Sequence, residues 1–405
     1  MTATDSDVYY DPYDFDIDAD PYPIWKRLRD ERPLYYNERY DFFALSRFAD
    51  VQRCSVDWET YVSSKGTVLE LIKEIVKGSF EVPAGSIIFE DPPDHDLHRG
   101  LLARAFTPRR MKELEPKVRE FCARCLDPLV GAGGFDFVHD LGTPVPMWTI
   151  GMLLGIPEQD QAAIREQIDA GLRLDEGAMP ETTSMATAAD QGDAFEEYID
   201  WRADHPSDDV MTELLHAEVE DETGARRLTR DEVLGFVNLL AAAGNETTTR
   251  LIGWAGKVLA EHPDQRRELA DDRSLVPNAI EELLRYESPS PVQARYVTND
   301  VEHYGEVVPA GSVMVLLTAA ANRDEREFPE PDRFDIYRTI GHHVAFGYGV
   351  HFCLGAALAR LEGRVALDEV VQRFPTWEVD WDNAVQARTS TVRGWERLPV
   401  FVVRQ

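Results

Sequence analysis

The chain of 405 residues has few of the features that mark secreted or membrane-spanning proteins. It contains only four cysteines, too few and too dispersed to form a disulfide framework in a chain of this length. No apolar run approaches the roughly 20 residues that span a bilayer, and the first thirty residues lack a basic segment followed by an apolar one. We therefore expect a soluble, cytoplasmic protein without a membrane anchor.

Basic residues are scarce relative to acidic ones. The chain has 42 Lys and Arg against 74 Asp and Glu, which gives a formal net charge of -32. Such a charge disfavours binding to nucleic acids or to anionic membranes, so we expect no nucleic-acid partner. Hydrophobic content of 43% and aromatic content of 10% are normal for a globular protein with a large core.

The patterning along the chain predicts one large helical domain. Residues 1–20 hold seven aspartates and predict an acidic N-terminal arm that lies loosely on the surface, whereas 21–405 contain no linker or repeat and predict a single domain. Apolar residues recur at helical spacing over most of 95–285. Strand-like runs are limited to a hairpin around 37–39 and the segments VQARYVT, GSVMVLLT and LPVFVV. The predicted fold class is mainly α with a small β portion.

The most continuous helical pattern runs from Thr229 to His262. Thr229 and Glu232 have capping-box spacing, and the stretch VLGFVNLLAAAG is apolar on nearly every face, so this helix should cross the interior. Its middle reads AAAGNETTTR and includes Glu246. Burying an unpaired carboxylate or hydroxyl costs about 1–3 kcal/mol or more, so either neighbours satisfy these groups or the chemistry requires them.

A cysteine stands at the end of the glycine-rich stretch FGYGVHFCLG, residues 346–355, directly before a strong helix pattern. Unpaired N–H groups at a helix N-terminus favour the thiolate form of Cys353. The residue types alone permit a nucleophile with His351 as its base, an iron ligand, or an ordinary buried cysteine. A phosphate loop is poorly supported because GxxxxGK[ST] is absent.

The whole pattern of Phe346, Gly349, His351, Cys353 and Gly355 resembles the haem-binding signature of the cytochrome P-450 monooxygenases. The resemblance implies the cytochrome P-450 fold, in which a long central helix crosses over the haem. It implies haem b as cofactor with Cys353 as the axial thiolate ligand, which favours O–O cleavage, and dioxygen as co-substrate. Phe346 would then pack against the ligand loop and His351 would face a haem propionate. The cofactor-binding set that the resemblance implies from this loop is Phe346, Gly347, His351, Cys353 and Gly355.

Other motifs of the same family follow in the family's order. Glu282 and Arg285 have its ExxR spacing, and Arg333 in FPEPDRFD matches the third member of its structural Glu-Arg-Arg network. The resemblance also implies that three cations, His95, Arg99 and Arg295, contact the haem propionates. Two buried carboxylates need such partners.

The same resemblance gives AAAGNETTTR a function. Ala243 and Gly244 would leave room beside the helix for haem and dioxygen, while Glu246 would relay protons from solvent and Thr247 would hydrogen-bond the activated oxygen. Thr248 and Thr249 are explained as well by hydrogen bonds to the carbonyl one turn earlier.

The implied substrate is a lipophilic small molecule. The family-equivalent pocket positions are Leu239, Ala242, Val292 and Val392, and EGAMPETTSMATAADQG falls where the family has a mobile lid. Electrons would come from a separate ferredoxin and ferredoxin reductase. Residues 95–124 hold eight basic and four acidic residues, net +4, and with Arg360 and Arg364 predict a docking patch for an acidic donor.

Two other functions stay open. One is a peroxide-using haem-thiolate enzyme, which typically lacks the acid-alcohol pair that Glu246 and Thr247 form here. The other is a non-catalytic haem-binding sensor, in which the polar residues of the long helix would be dispensable.

Overall fold

The computed structural model describes residues 8–161, 164, 193–221, 224–389 and 392–402. Its helices are α1 (Phe15–Ala19), α2 (Tyr22–Glu31), α3 (Phe48–Val56), α4 (Leu69–Lys77), α5 (Asp94–Leu102), α6 (Pro108–Leu126), α7 (Pro144–Leu154), α8 (Asp193–Asp204), α9 (Val210–Leu215), α10 (Arg230–Glu261), α11 (Pro263–Asp271), α12 (Val276–Tyr286), α13 (Thr318–Ala321) and α14 (Ala356–Arg373). A π-helical turn spans Phe137–Gly142.

The strands are short and form small sheets. They are β1 (Leu34–Asn37), β2 (Phe42–Leu45), β3 (Tyr61–Val62), β4 (Gly134–Asp136), β5 (Glu218–Asp221), β6 (Gly224–Arg227), β7 (Gln293–Val297), β8 (Val301–His303), β9 (Glu306–Val308), β10 (Val313–Leu316), β11 (Trp377–Val379), β12 (Val385–Gln386), β13 (Trp395–Arg397) and β14 (Pro399–Val402). The largest sheet has the order β1-β2-β10-β7-β3, and a smaller one has the order β11-β14-β4.

The larger sheet contains most of the predicted strands. The hairpin of β1 and β2 pairs Leu34 with Leu45 and Asn37 with Phe42, as its sequence predicts. Strand β10 pairs with β2 in parallel and with β7 antiparallel. Arg295 lies on strand β7 and is therefore positioned by this sheet.

Helix α10 is the central element, as predicted. It contains 32 residues and is therefore about 48 Å long. The Thr229 hydroxyl accepts from Glu232 N–H, and the Glu232 carboxylate accepts from Thr229 N–H, which completes the capping box. Helices α7, α12 and α14 and the π-helical turn pack around it. Most of its residues from Val233 to Leu259 are buried, which confirms that it crosses the interior.

Two expectations from the sequence are wrong. The described part of the N-terminal arm is held tightly, because Val8 and Tyr10 are buried and the Tyr10 ring packs against Tyr35 and Phe42. Its acidic composition conceals these apolar anchors. Residues 218–227 lie within the stretch 95–285, where helix was expected to dominate, but they form the β5–β6 hairpin, in which Asp221 pairs with Gly224.

The proposed lid segment, 176–192, lies outside the described residues. Among the helices that the structure describes, none is long and apolar enough to cross a membrane.

Candidate active site

Residues 344–355, called the ligand loop below, carry Cys353 and precede α14. Hydrogen bonds within the backbone of this loop hold its conformation. The N–H of Cys353 donates to the carbonyl of Phe346 at 2.8 Å, and the N–H of Gly347 donates to the carbonyl of Val344 at 3.0 Å. Helix α14 begins at Ala356, so the sulfur lies just before a helix N-terminus. The residues of FGYGVHFCLG therefore form a tight turn, and its hydrogen bonds fix the position of the Cys353 backbone.

The glycines of this loop serve two different purposes. Gly349 has a φ of 75°, and a Cβ there would stand 2.3 Å from the carbonyl oxygen of Ser55, so no other residue fits. Gly355 has a φ of -83°, and a Cβ there would meet nothing within 4 Å. The protein itself does not require glycine at Gly355, which leaves the space beside Cys353 free for another group.

The charge on Cys353 is balanced between burial and nearby donors. Burial raises the pKa of its thiol, whereas a hydrogen bond from Gly355 N–H and the positive charges of Arg99 and Arg360 oppose this rise. The guanidinium of Arg99 also donates to the carbonyl of Phe352 at 2.6 Å. Helix α5 therefore places the Arg99 guanidinium against the backbone just before Cys353.

The histidines and Arg295 lie together on one side of the loop. The rings of His95 and His351 are 4.3 Å apart between centroids, and His95 is only 1% exposed. Arg295 is 4% exposed and donates to the Ala294 carbonyl and to Gln293 Oε1, with no ion pair among the described residues. Its pKa is lowered to about 10 by burial. A buried guanidinium without a paired carboxylate fits a site that receives anionic groups.

Asp91 is a residue that sequence reasoning missed. Its carboxylate accepts from the N–H groups of Ser63 and Ser64 at 2.9 and 3.1 Å, and it lies 3.9 Å from His351 Nε2. Burial opposes its ionisation, but His351 and these N–H groups outweigh burial and lower its pKa to about 2. Asp91 stands at the start of the stretch DPPDH, four residues before His95, which was the available signal.

Helix α10 has one face that is less buried than the rest. Leu239, Ala243 and Thr247 follow one another at intervals of four residues, and all three are partly or fully exposed, as is Gly244. A Cβ on Gly244 would come no closer than 3.6 Å to Ile150. The middle of a buried helix therefore borders a space that the protein's side chains do not fill.

The polar groups of AAAGNETTTR have different partners. The Glu246 carboxylate, 6% exposed, forms an ion pair of 2.6 Å with Arg250, and Arg250 also donates to the carbonyl of Trp395. Thr249 donates to the carbonyl of Gly142 at 2.7 Å, whereas Thr247 donates to the carbonyl of Ala243 at 3.0 Å. The bond to the carbonyl one turn earlier, expected for Thr248 and Thr249, is therefore made by Thr247.

A second buried acid lies below this helix and was also missed from the sequence. Glu362 on α14 is 1% exposed, lies against the hydroxyls of Thr149 and Thr248, and has no well-formed hydrogen bond. Burial raises its pKa to about 8, so the carboxyl is mainly protonated at neutral pH. Nothing local in ALARLEGRV distinguishes this glutamate from a solvated one.

The structure corrects the third member of the ionic network. Arg285 holds Glu282 through two bonds of 2.7 and 2.8 Å, and both side chains have no exposed surface. The other cation on Glu282 is Arg338, at 3.0 Å, and not Arg333. The Arg333 side chain is 59% exposed and pairs with Asp335 and Glu330, and only its carbonyl joins the network, accepting from Arg338 and Arg285. The turn after Asp335 returns Arg338 to α12, and that turn was not anticipated.

The four predicted pocket residues lie on three elements. Leu239 and Ala242 are on α10, and Val292 directly precedes β7, and these three are partly exposed. Val392 is 8% exposed, in the loop before β13.

A groove of about 720 Å³ lies on the side of α14 where Arg360 and Arg364 stand. It is bordered by parts of α6, α12 and α14, and its charged lining residues are Lys112, Glu115, Glu281, Arg360 and Arg364.

Comparisons with known proteins agree with this geometry. The family model described as Cytochrome P450 matches residues 194–393. Over 400 residues, 98% of both chains, the sequence is 39% identical to a putative cytochrome P450 123 of Mycobacterium tuberculosis. It is 37% identical to a vitamin D(3) 25-hydroxylase of Pseudonocardia autotrophica, over 94% of this chain and 93% of that one. A solved structure of a mutant of P450 EryK in complex with erythromycin B superposes with a TM-score of 0.86 at 32% identity, covering 95% and 96% of the two chains.

The chain belongs to the cytochrome P450 family. It is a P450 monooxygenase with haem b as its cofactor and dioxygen as its oxidant. The predicted fold and the resemblance to this family are thereby confirmed.

The described residues fit a haem b group. Cys353 would supply a sulfur ligand, a Cβ on Gly355 would meet no atom within 4 Å, and Ala243 is exposed on α10. Arg295, which is buried, and His351, whose Nε2 has no hydrogen bond, would supply positive or donor groups. When bound, the haem iron activates dioxygen for transfer of one oxygen atom.

The corrected network gives a stability prediction. Arg338→Met should lower the free energy of unfolding of this P450 by about 3–5 kcal/mol, because it leaves the buried Glu282 carboxylate with one cation fewer. Arg333→Met is the matched control and should change it by less than about 0.5 kcal/mol. Chemical denaturation of both variants measures this. A larger loss from Arg333→Met than from Arg338→Met would restore the assignment made from the sequence.

A pH prediction follows from Glu362. Its folded-state pKa of about 8 lies above the ordinary 4.5, so the native state holds a proton that the unfolded state has released. Stability from this group is present below the unfolded pKa and is lost as the pH rises towards 8. Glu362→Gln should therefore gain stability relative to wild type between pH 5 and pH 8, in denaturation series at each pH. Glu120→Gln, on the exposed surface of α6, should show no such trend.

Proposed function

We propose that this P450 inserts one oxygen atom of dioxygen into a C–H bond or an alkene of a lipophilic small molecule, with electrons from a separate ferredoxin. The observation that carries this proposal is the pairing of Glu246 with Thr247. A buried carboxylate stands next to a hydroxyl on the open face of α10. A proton source beside an alcohol is what controlled cleavage of dioxygen requires.

Arg250 and Ala243 define what the pair can do. Arg250, one turn later on the same helix, forms an ion pair of 2.6 Å with the Glu246 carboxylate. To carry a proton inward, the carboxylate must leave Arg250 and turn towards the open face. Thr247 uses its hydroxyl proton on the Ala243 carbonyl, so its oxygen lone pairs remain available to accept a proton or hydrogen bond.

The proposed haem contacts are of two kinds, polar groups that bind the propionates and small residues that leave space for the ring. His95, Arg99, Arg295 and His351 pair with the haem propionates, and Asp91 orients His351. Ala243, Gly244, Gly347 and Gly355 leave space for the ring, and Phe346 supports the ligand loop.

The lipophilic substrate is supported by the lining and by the relatives. Leu239, Ala242 and Val292 offer only hydrocarbon to an occupant, and Val392 is placed by the loop before β13. One relative is named for hydroxylating vitamin D(3), and another was solved with erythromycin B. We propose that this chain likewise takes an organic small molecule, one lipophilic enough for this lining.

We place the ferredoxin in the groove between α6, α12 and α14. The charge count of 95–124 overstates the docking patch, because Arg110 pairs with Glu213 and Arg119 pairs with Asp368 and Glu369. Lys112, Arg360 and Arg364 line the groove. Arg360 pairs with Glu281 and Arg364 lies 3.7 Å from Glu115, so Lys112 is the lining cation that has no ion pair among the described residues. A cytoplasmic location fits this donor and the free thiols of the chain.

Thr247→Ala tests the oxygen chemistry. The variant should still consume electrons but form roughly tenfold less product per electron pair, with hydrogen peroxide as the balance, because the hydroxyl oxygen that accepts a proton or hydrogen bond on the open face is lost. Thr247→Ser keeps the hydroxyl and should stay near wild type. Product, peroxide and reductant are measured in the same reaction. Turnover with peroxide alone that equals the donor chain would indicate a peroxide-using enzyme. No turnover by either route with any lipophilic compound screened would indicate a sensor.

Lys112→Glu tests the docking groove. Charge reversal should slow reduction by ferredoxin about tenfold at low salt, since electrostatic steering is reversed at the groove, and should leave substrate affinity unchanged. The difference should shrink in high salt. Arg109→Glu is the control, because Arg109 is exposed, pairs with Glu113 and lies outside the groove lining. Stopped-flow reduction and substrate-induced spectral titration measure the two properties, and equal rates for both variants would contradict the groove.

A further inference from the structure

A second acid on α12 points to the ligand loop. Glu281 directly precedes Glu282, but it takes different partners. Its carboxylate receives two bonds from Arg360 of α14, at 2.6 and 2.9 Å, and lies 3.2 Å from His343 Nε2. Burial opposes the ionisation of Glu281, but His343 and Arg360 outweigh it and lower its pKa to about 2.

Both partners of Glu281 touch the ligand loop. The guanidinium carbon of Arg360 lies 4.5 Å from the centre of the Phe346 ring, and the Phe346 carbonyl accepts the N–H of Cys353. His343 Nδ1 accepts the N–H of Ala345 at 3.2 Å, so its Nε2 carries the proton that faces Glu281. Glu281 is thus linked to Ala345 through His343 and to Phe346 through Arg360.

The same pair also acts on Cys353 by charge. Arg360 places its positive charge against the ring of Phe346, whose carbonyl accepts the N–H of Cys353, whereas Glu281 neutralises part of that charge. Transfer of one electron to the site adds one negative charge, which a nearby cation stabilises and a nearby anion destabilises. The net field at the sulfur therefore depends on how completely Glu281 pairs with Arg360.

We propose that Glu281 and Arg360 form a positioning pair that sets the reduction potential of the thiolate-bound haem iron in this P450. Arg360 raises the potential, and Glu281 holds Arg360 on the Phe346 ring and offsets its charge. The pair lines the groove of about 720 Å³, so it lies between the protein surface and the ligand loop. Neither residue contacts the substrate pocket in this assignment.

The test is a redox titration of the holoenzyme with small-molecule mediators, without a protein donor. Glu281→Gln keeps the shape of the side chain but removes its charge, so the potential should rise. Arg360→Met removes the cation, so the potential should fall. The double variant should return close to wild type, because both charges are gone. Arg364→Met is the control, since Arg364 lines the same groove but lies 3.7 Å from Glu115, and it should cause no shift.

A second readout separates the proposal from simple loss of structure. The carbon monoxide complex of the reduced protein should keep its thiolate spectrum in all four variants. Shifts of opposite sign with this spectrum intact would support the pair. Shifts of the same sign, or no shift in either single variant, would overturn it. If either single variant loses the thiolate spectrum, Glu281→Asp and Arg360→Lys, which keep both charges, must restore it with the wild-type potential, or the proposal fails.

Discussion

A negatively charged sulfur inside a protein is the constraint on which the rest of this structure depends. An iron ligand must be a thiolate, whereas burial raises the pKa of the Cys353 thiol. The loop opposes this with a backbone N–H from Gly355 at the start of α14, and α5 and α14 each bring one guanidinium near it. Arg99 and Arg360 belong to helices that are far apart in sequence. The charge balance at Cys353 therefore depends on the packing of both α5 and α14 against the loop.

The buried ions of α12 explain how that assembly is held in register. Glu282, Arg285 and Arg338 join α12 to the segment 329–338, which leads towards the ligand loop. Such a cluster adds little net stability, because desolvation of its charges is costly, but any shifted arrangement would leave a buried charge unpaired. The cluster therefore favours one arrangement of these segments over shifted ones. Glu281, one residue earlier on the same helix, joins α12 to α14 through its ion pair with Arg360.

The sequence predicted what is encoded by nearby residues. The capping box of α10, the β1–β2 hairpin and the strands β7, β10 and β14 all have local signals, and the structure confirms them. Arg333 was wrong because the choice between it and Arg338 depends on a turn that brings the later residue back to Glu282. Glu362 and Asp91 were missed for a related reason. Their environments are made by residues distant in sequence: only the position of Asp91 four residues before His95 pointed to it, and nothing near Glu362 did.

The polar middle of α10 shows how such a cost is removed group by group. Arg250, one turn on, neutralises Glu246, and a carbonyl from the π-helical turn accepts the hydroxyl of Thr249. Glu362 below the helix avoids a buried charge by holding its proton. Thr247 is different, because its bond to the Ala243 carbonyl stays within the helix and its hydroxyl lies on the open face. Packing therefore satisfies the polar residues that face the protein and leaves one alcohol at the edge of the space, beside the only acid on that turn.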